Sequence, residues 1–304
     1  MIVRPRPTIF QLFFIVRGSI VPRIMPQIAL IMGICGLVVW LHQVAPRWTP
    51  DLASAPFALV GLALSIFLGF RNNACYDRWW EARKLWGALI LAARSFARQT
   101  LTLDAADVAE RERLLHLVIA FAQALTAHLR PGVDPEKTLR RLTPEDRVFV
   151  VQRDNVPNAI LLLVGGELAR LRHEHKIDVM LYPTLDQSVS EMAAVQAGCE
   201  RIRTTPVPFG YTLLLHRTAY LFCFLLPFGF AGSLGWAAPA AVGLVAYTFF
   251  GLDALGDELE DPFSTRANAL PIEALADTVE HNLLAALGET DLPPLPQPID
   301  YVLA

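Results

Sequence analysis

Uncharged and charged stretches alternate along this chain. Residues 24–46 and 52–70 contain no formally charged side chain, and residues 218–252 form a third, longer uncharged stretch. A helix needs about 20 apolar residues to cross a bilayer, so each of the first two stretches predicts one span. The third stretch is about long enough for two spans.

Small and turn-forming residues lie in the middle of the third stretch and predict a tight turn between two helices. They are Gly229, Gly232, Ser233, Gly235 and Pro239. One span is predicted from near Pro208 to near Gly232, and its partner from about Ala237 to Leu255. The pattern therefore predicts four transmembrane helices in each chain.

The region from 71 to 205 has a different pattern, in which apolar positions recur every three to four residues between charged ones. This periodicity is typical of amphipathic helices in a water-exposed bundle. Helices are predicted at 74–100, 107–130, 144–176 and 184–203, with Thr143-Pro144 as a helix start. A further short helix is predicted near 272–288. The fold class is all-α, and no strand alternation is found.

These patterns divide the chain into four parts. Residues 1–70 hold an N-terminal segment and the first two spans, and residues 71–205 form a cytosolic helical region. Residues 206–256 hold the third and fourth spans, and residues 257–304 form a cytosolic C-terminal segment. Arginines precede the first span and follow the second, whereas only Arg47 lies in the first outer loop. The positive-inside rule then places both termini in the cytoplasm.

Composition narrows the possible functions. Hydrophobic residues make up 54% of the 304 residues, charged residues 18%, and the net charge is −3, which does not suit binding to nucleic acid. The four cysteines show no CxxC spacing and are predicted to be buried apolar side chains. The chain has no HExxH, GxSxG or P-loop motif. We therefore expect no enzyme activity, no cofactor and no metal site.

The second span carries two strips on its helical surface. Ala58, Gly61, Ser65 and Gly69 form a strip of small residues, which lets membrane helices approach closely. Larger apolar residues form a separate strip at i, i+4 and i+8, namely Leu62, Ile66 and Phe70. This strip either contacts lipid and neighbouring helices or faces a central axis, where several copies would form a dry constriction. No Gly or Pro interrupts residues 70–85, so the helix is predicted to continue beyond the membrane.

An acidic stretch follows the fourth span. Asp253, Asp257 and Glu258 lie at its inner end, and Glu260 and Asp261 continue the run. One interpretation is a solvated helix end that stops membrane insertion. The other is a cation-attracting ring or metal site at the mouth of a pore.

Three segments of the sequence resemble the bestrophin family, particularly its bacterial branch. They are residues 67–87 (FLGFRNNACYDRWWEARKLWG), 199–211 (CERIRTTPVPFGY) and 258–263 (ELEDPF). The resemblance implies a homopentamer around one central pore that conducts small monovalent ions passively across the bacterial inner membrane. It also implies that Leu62, Ile66 and Phe70 form the pore neck and that Met180 forms a constriction at the cytoplasmic exit.

The family resemblance by itself supports chloride conduction, whereas bacterial relatives include cation conductors. Asp253, Asp257 and Glu258 would favour cations if they faced the pore, so the sequence slightly favours cation conduction. Ser264 replaces the usual Gly after Asp261-Pro262-Phe263, and Arg266 stands where calcium-binding carboxylates are expected, so calcium activation is not expected. The expected partners are the bilayer, further copies of the chain and small inorganic ions. The alternative is a membrane-anchored interaction or scaffold protein without a pore.

Overall fold

The computed structural model describes residues 1–5, 7–16, 18–50, 52–103 and 108–303. Within these ranges the regular elements are helices, and no β-strand is found beyond isolated bridges such as Ile2 with Val302. The α-helices, in chain order, are α1 (Ile9–Phe14), α2 (Val21–Val44), α3 (Ser54–Gln99), α4 (Val108–Leu129), α5 (Glu136–Leu139), α6 (Pro144–Val151), α7 (Val156–His173), α8 (Tyr182–Thr204), α9 (Phe209–Leu234), α10 (Ala238–Glu260) and α11 (Ile272–Leu287). The predicted all-α fold class is confirmed.

The chain divides into two compact units. The apolar unit comprises residues 4–79 and 206–261, and the polar unit comprises residues 1–3, 80–205 and 262–304. Helix α3 contributes its first part to the apolar unit and its second part to the polar unit. It is unbroken over 46 residues, which confirms the predicted continuation past residue 70. At 1.5 Å per residue such a helix is about 70 Å long.

Helices α2, α9 and α10 pack together in the apolar unit, and Leu64 and Leu68 of α3 join their buried core. Glycines permit two close approaches. A Cβ at Gly243 would lie 2.7 Å from the Met32 sulfur, and one at Gly229 would lie 2.6 Å from the Phe57 ring. Contacts below about 3 Å are repulsive, so a larger residue at either position would force the helices apart.

Three helical stretches of the described residues are long and apolar enough to cross a membrane: Val21–Val44, Ala55–Thr102 and Phe209–Glu260. The third contains both α9 and α10, so the prediction of four separate crossings remains a prediction. The turn between α9 and α10 lies at Gly235, whose φ of +49° favours glycine. Gly229, Gly232 and Ser233 do not belong to this turn, because α9 continues to Leu234.

Helix α4 lies at the centre of the polar unit and packs against α7, α8 and α11. One predicted helix, 144–176, is wrong: it is divided into α6 and α7. The first starts as predicted, because the Thr143 hydroxyl accepts a hydrogen bond from the Asp146 amide at 3.2 Å. A second cap follows at Asn155, whose side chain accepts a hydrogen bond from the Asn158 amide at 3.1 Å. This cap starts α7.

Candidate ion-conduction site

The two faces of α3 differ sharply in burial within the apolar unit. Leu62, Ile66 and Phe70 are 61%, 48% and 62% exposed, whereas Leu64 and Leu68 are 2% and 0% exposed. With 3.6 residues per turn, the exposed strip and the buried pair lie on roughly opposite sides of the helix. The three predicted neck residues therefore share one face that remains about half exposed or more.

The strip of small residues contributes only partly to packing within the chain. A Cβ at Gly61 would lie 3.1 Å from the Phe222 ring of α9, so this glycine accommodates a large neighbour. Ala58 and Ser65 remain exposed, and the Ser65 hydroxyl donates a 2.7 Å hydrogen bond back to the Gly61 carbonyl. Gly61 thus behaves as predicted, Ala58 and Ser65 are open on the surface, and Gly69 is partly buried.

A buried arginine lies one residue beyond the neck strip. Arg71 has no exposed surface, and its guanidinium donates to carboxylates on one face of α10. Its Nη1 lies 2.8 Å from Asp253 Oδ1, and its Nη2 lies 2.6 Å from Asp257 Oδ1 and 3.4 Å from Glu260 Oε2. A buried charge is tolerated when it is paired and hydrogen-bonded, and these contacts supply both for the two terminal nitrogens of Arg71.

Further groups of the apolar unit extend this cluster. His216 Nδ1 lies 2.6 Å from the second oxygen of Asp253, and Arg23 Nη2 lies 2.6 Å from the second oxygen of Asp257. The Val207 amide donates to Glu260 Oε1 at 3.2 Å. Each of the three carboxylates is therefore shared between Arg71 and a second donor. We call these residues the Arg71 cluster: Arg23, Arg71, His216, Asp253, Asp257 and Glu260.

Gly256 makes room for the Arg71 cluster. A Cβ at this position would lie 2.7 Å from Asn72 Oδ1 and 3.1 Å from Arg71 Nη1. The glycine lets the guanidinium lie directly against the α10 backbone, where it also reaches the Asp253 carbonyl at 3.3 Å. The space that Arg71 needs therefore explains why residue 256 is a glycine.

Two of the three predicted pore-mouth acids belong to this cluster. Asp253 is buried and Asp257 is partly buried, and both are paired with arginine, while Glu258 is partly buried. Sequence reasoning missed their partner. The signal was present, because carboxylates at 253, 257 and 260 follow i, i+4, i+7 spacing on one helical face. Arg71 is the first charged residue after the uncharged stretch that holds the neck strip.

Met180 lies in the polar unit, in the turn that precedes α8. Its side chain is 82% exposed, and its amide donates a 2.7 Å hydrogen bond to Asp178 Oδ1. The local aspartate bond fixes the turn, so Met180 extends from a defined backbone position.

The described residues contain no group of three or more His, Cys, Asp or Glu side chains placed to hold a metal ion. All four cysteines are free and buried, which confirms that they are small apolar side chains in the interior. In the polar unit, burial raises the pKa of the Cys199 thiol to about 12, so this side chain is a neutral thiol.

Long apolar helices and an exposed apolar face on α3 define a multi-helix membrane protein. The chain belongs to the bacterial and fungal bestrophin family, whose model matches residues 1–285. This result confirms the resemblance seen in the sequence.

Individual relatives and solved structures agree with this assignment. A voltage-dependent anion channel-forming protein of Mesorhizobium japonicum is 46% identical over 299 residues, covering 97% of this chain and 95% of the relative. A protein of the same description from Escherichia coli K12 is 40% identical and covers 96% of both chains. The crystal structure of a bacterial bestrophin homologue from Klebsiella pneumoniae, 42% identical, matches with a TM-score of 0.83 over 88% of this chain and 100% of that one.

Proposed function

We propose that this protein is an ion channel of the bestrophin type, in which five copies surround one pore lined by α3. The observation that carries the proposal is the exposed apolar strip of Leu62, Ile66 and Phe70, beside a fully buried opposite face. The relatives described as channel-forming proteins support it, because they cover nearly the whole chain. Ions would move passively down their gradient, with no reaction catalysed.

The proposed neck would gate by dewetting. Three successive rings of Leu62, Ile66 and Phe70 would offer ions no polar ligand, so a narrow passage between them favours an empty, non-conducting state. Met180 is proposed as a second restriction at the cytoplasmic exit, since its long apolar side chain is exposed in the polar unit. The polar unit and both termini would lie in the cytoplasm, with the apolar unit in the inner membrane.

We propose that the channel carries monovalent anions such as chloride. The descriptions of the relatives name anions. The main argument for cations was the acidic inner end of the fourth span, and the pairing of Asp253 and Asp257 with Arg71 and Arg23 weakens the field of those acids. Reversal potentials in a KCl gradient across planar bilayers test the sign. A reversal potential toward the potassium equilibrium value would overturn this proposal.

Shortening the neck tests the role of the strip. Replacing Leu62, Ile66 and Phe70 together by alanine widens the dry region, so the single-channel conductance is expected to rise. Val60 and Phe67 are also exposed on the same helix, but on a different face, and their double alanine variant is the matched control. Equal conductance of the triple variant and the wild type would exclude this strip as the neck.

Oligomer mass tests the assembly independently. Native mass spectrometry in a mild detergent is expected to show five chains in one particle. A monomer or dimer that retains folded helices would leave no five-fold axis, and would favour the alternative of a membrane-anchored scaffold without a pore.

A further inference from the structure

A cavity of about 290 Å³ opens in the polar unit, away from the residues proposed for conduction. Its walls come from the second half of α3, the start of α4 and the last turns of α11. Ala97 and Leu283 are buried in it, and three arginines and an asparagine line it: Arg94, Arg98, Arg111 and Asn282. Among the residues that the structure describes, no carboxylate lines this cavity.

The three arginines have no acidic partner in the part of the chain that the structure describes. Among the described residues, Arg111 donates to two neutral oxygens, from Nε to the Thr100 hydroxyl at 3.2 Å and from Nη2 to the Ala286 carbonyl at 2.8 Å. Arg94 and Arg98 are exposed and make no ion pair there. Elsewhere in the polar unit the arginines at 113, 130, 140, 141, 170 and 201 are each paired with a carboxylate. Other described arginines bond carbonyls or lie over rings, such as those at 147, 153, 172 and 203, but they do not line this cavity. Within the described ranges, the positive charge of this cavity is therefore not balanced by a carboxylate.

The placement of these charges is unfavourable for the stability of the polar unit when no anion is bound. Arg94 and Arg98 lie at i and i+4 on α3, where like charges repel each other. Arg111 lies in the first turns of α4, where the helix dipole disfavours a cation. The Asn282 side-chain amide nitrogen is buried, and it has no hydrogen-bond acceptor among the residues that the structure describes. A bound anion would offset the repulsion and accept the unused donors.

We infer that this cavity binds a small multivalent oxyanion of the phosphate class. Guanidinium groups present paired N–H donors that match the oxygens of phosphate, and three arginines line this cavity. The volume lies near the lower limit of small-molecule sites, which suits an inorganic phosphate or the phosphate group of a small ester. Ala97 and Leu283 form the buried apolar part of the lining and offer no polar side-chain group, so the surrounding donors determine which ligand binds.

Isothermal titration calorimetry on the full-length protein in detergent, with pyrophosphate as the probe at constant ionic strength, tests this site. Saturable binding with one site per chain is expected. Replacing Arg94 and Arg98 by glutamine removes two charge-assisted hydrogen-bond donors, so the affinity should fall by about tenfold or more. Absence of saturable binding to the wild-type protein would overturn the proposal.

Two control variants separate a defined site from general charge attraction. Arg147→Gln with Arg172→Gln removes the same charge from polar-unit arginines outside the cavity and should leave the affinity unchanged. Asn282→Asp places a carboxylate in the cavity and should abolish binding without removing an arginine. An equal loss in the Arg147/Arg172 variant, or unchanged binding in the Asn282 variant, would contradict a site in this cavity.

A titration with citrate at the same ionic strength distinguishes the chemical class. The cavity is expected to bind pyrophosphate at least about tenfold more tightly than citrate, because its donors would bond phosphate oxygens directly. Equal affinity for citrate would reject phosphate selectivity.

Discussion

The most deeply buried charged side chain in the described part of each unit lies among opposite charges, and the two arrangements differ in their contact with water. In the apolar unit, the fully buried Arg71 is surrounded by carboxylates of α10. In the polar unit, Glu280 is 1% exposed and is contacted by Arg140, by Arg141 at 3.0 Å and by the Gln123 amide at 3.3 Å. The first cluster buries a cation and the second buries an anion.

The partners of the two buried side chains differ most in their exposure to water. Asp253, which faces Arg71, is 5% exposed in its side chain, whereas Arg140 and Arg141 are 48% and 25% exposed. Water can solvate the arginines if Glu280 loses its charge, but it has little access to Asp253 if Arg71 is lost. A buried ion pair is therefore most sensitive to the loss of one member where the other member is also buried.

Replacing Arg71 by glutamine should leave Asp253 as a buried, poorly compensated charge. We expect a loss of about 3–5 kcal/mol in the free energy of unfolding. Unfolding of the purified protein in rising fractions of SDS measures it. Arg23→Gln is the matched control, since Arg23 is 41% exposed and its pair with Asp257 should contribute less than about 1 kcal/mol. Equal effects of the two variants would contradict the comparison.

A double variant sharpens this result. Replacing Arg71 by methionine and Asp253 by leucine removes both members of the buried pair, so no isolated charge remains between them. The double variant should be more stable than Arg71→Gln alone. A lower stability would mean that Arg71 acts chiefly through Asp257 and Glu260.

Replacing Glu280 by glutamine should be less costly than the loss of Arg71. The amide keeps a hydrogen-bond acceptor for Gln123, and the two arginines can turn to water, so we expect a loss of about 1–3 kcal/mol. Urea unfolding followed by circular dichroism measures it. Glu289→Gln, at a more exposed carboxylate 4.0 Å from His116, is the control and should change stability little.

Alanine at Gly256 should destabilise the protein by about 1–3 kcal/mol, because its Cβ would displace Asn72 and Arg71. The control is Gly166 in α7, where an added Cβ meets nothing within 4 Å. Gly166→Ala should instead stabilise by about 0.5–1 kcal/mol through helix propensity. Thermal unfolding compares the two variants, and stabilisation by both would exclude a close fit around Arg71.

The smallest effect is expected at a surface cluster. A hydrogen bond from Lys176, assisted by Arg170, holds the pKa of Glu110 below its ordinary value of 4.5. Its contribution is therefore present above that pH and is lost as the pH falls through the lowered pKa. Glu110→Gln should cost about 0.5–1 kcal/mol at pH 7 and less at pH 3. Urea unfolding at both pH values, with and without about 0.5 M NaCl, measures this cost. Salt should reduce the stability difference between the variant and the wild type at pH 7.

The candidate site was only partly predictable. The neck strip follows from the helical period, because residues four apart share a face whatever surrounds the helix. The period does not tell whether that face is exposed or buried, because both cases give the same spacing. The exposure of the strip therefore depends on the fold. The acids at 253 and 257 were recognised as charged residues near a membrane boundary, but their pairing with Arg71 joins positions 182 and 186 residues apart. Spacing along the chain cannot reveal such a contact.

The sequence by itself determined the apolar helices, the uninterrupted course of α3 and the family, because these depend on hydrophobicity, helix breakers and motifs that are local in the chain. The Asn155 cap was also local, and its Asn-x-Pro pattern could have predicted the break between α6 and α7. Only the tertiary structure decided which face of α3 is covered and which charges meet. It also brought Arg94, Arg111 and Asn282 to one cavity. Burial and electrostatic pairing depend on distances in space, and those arise only when the helices pack.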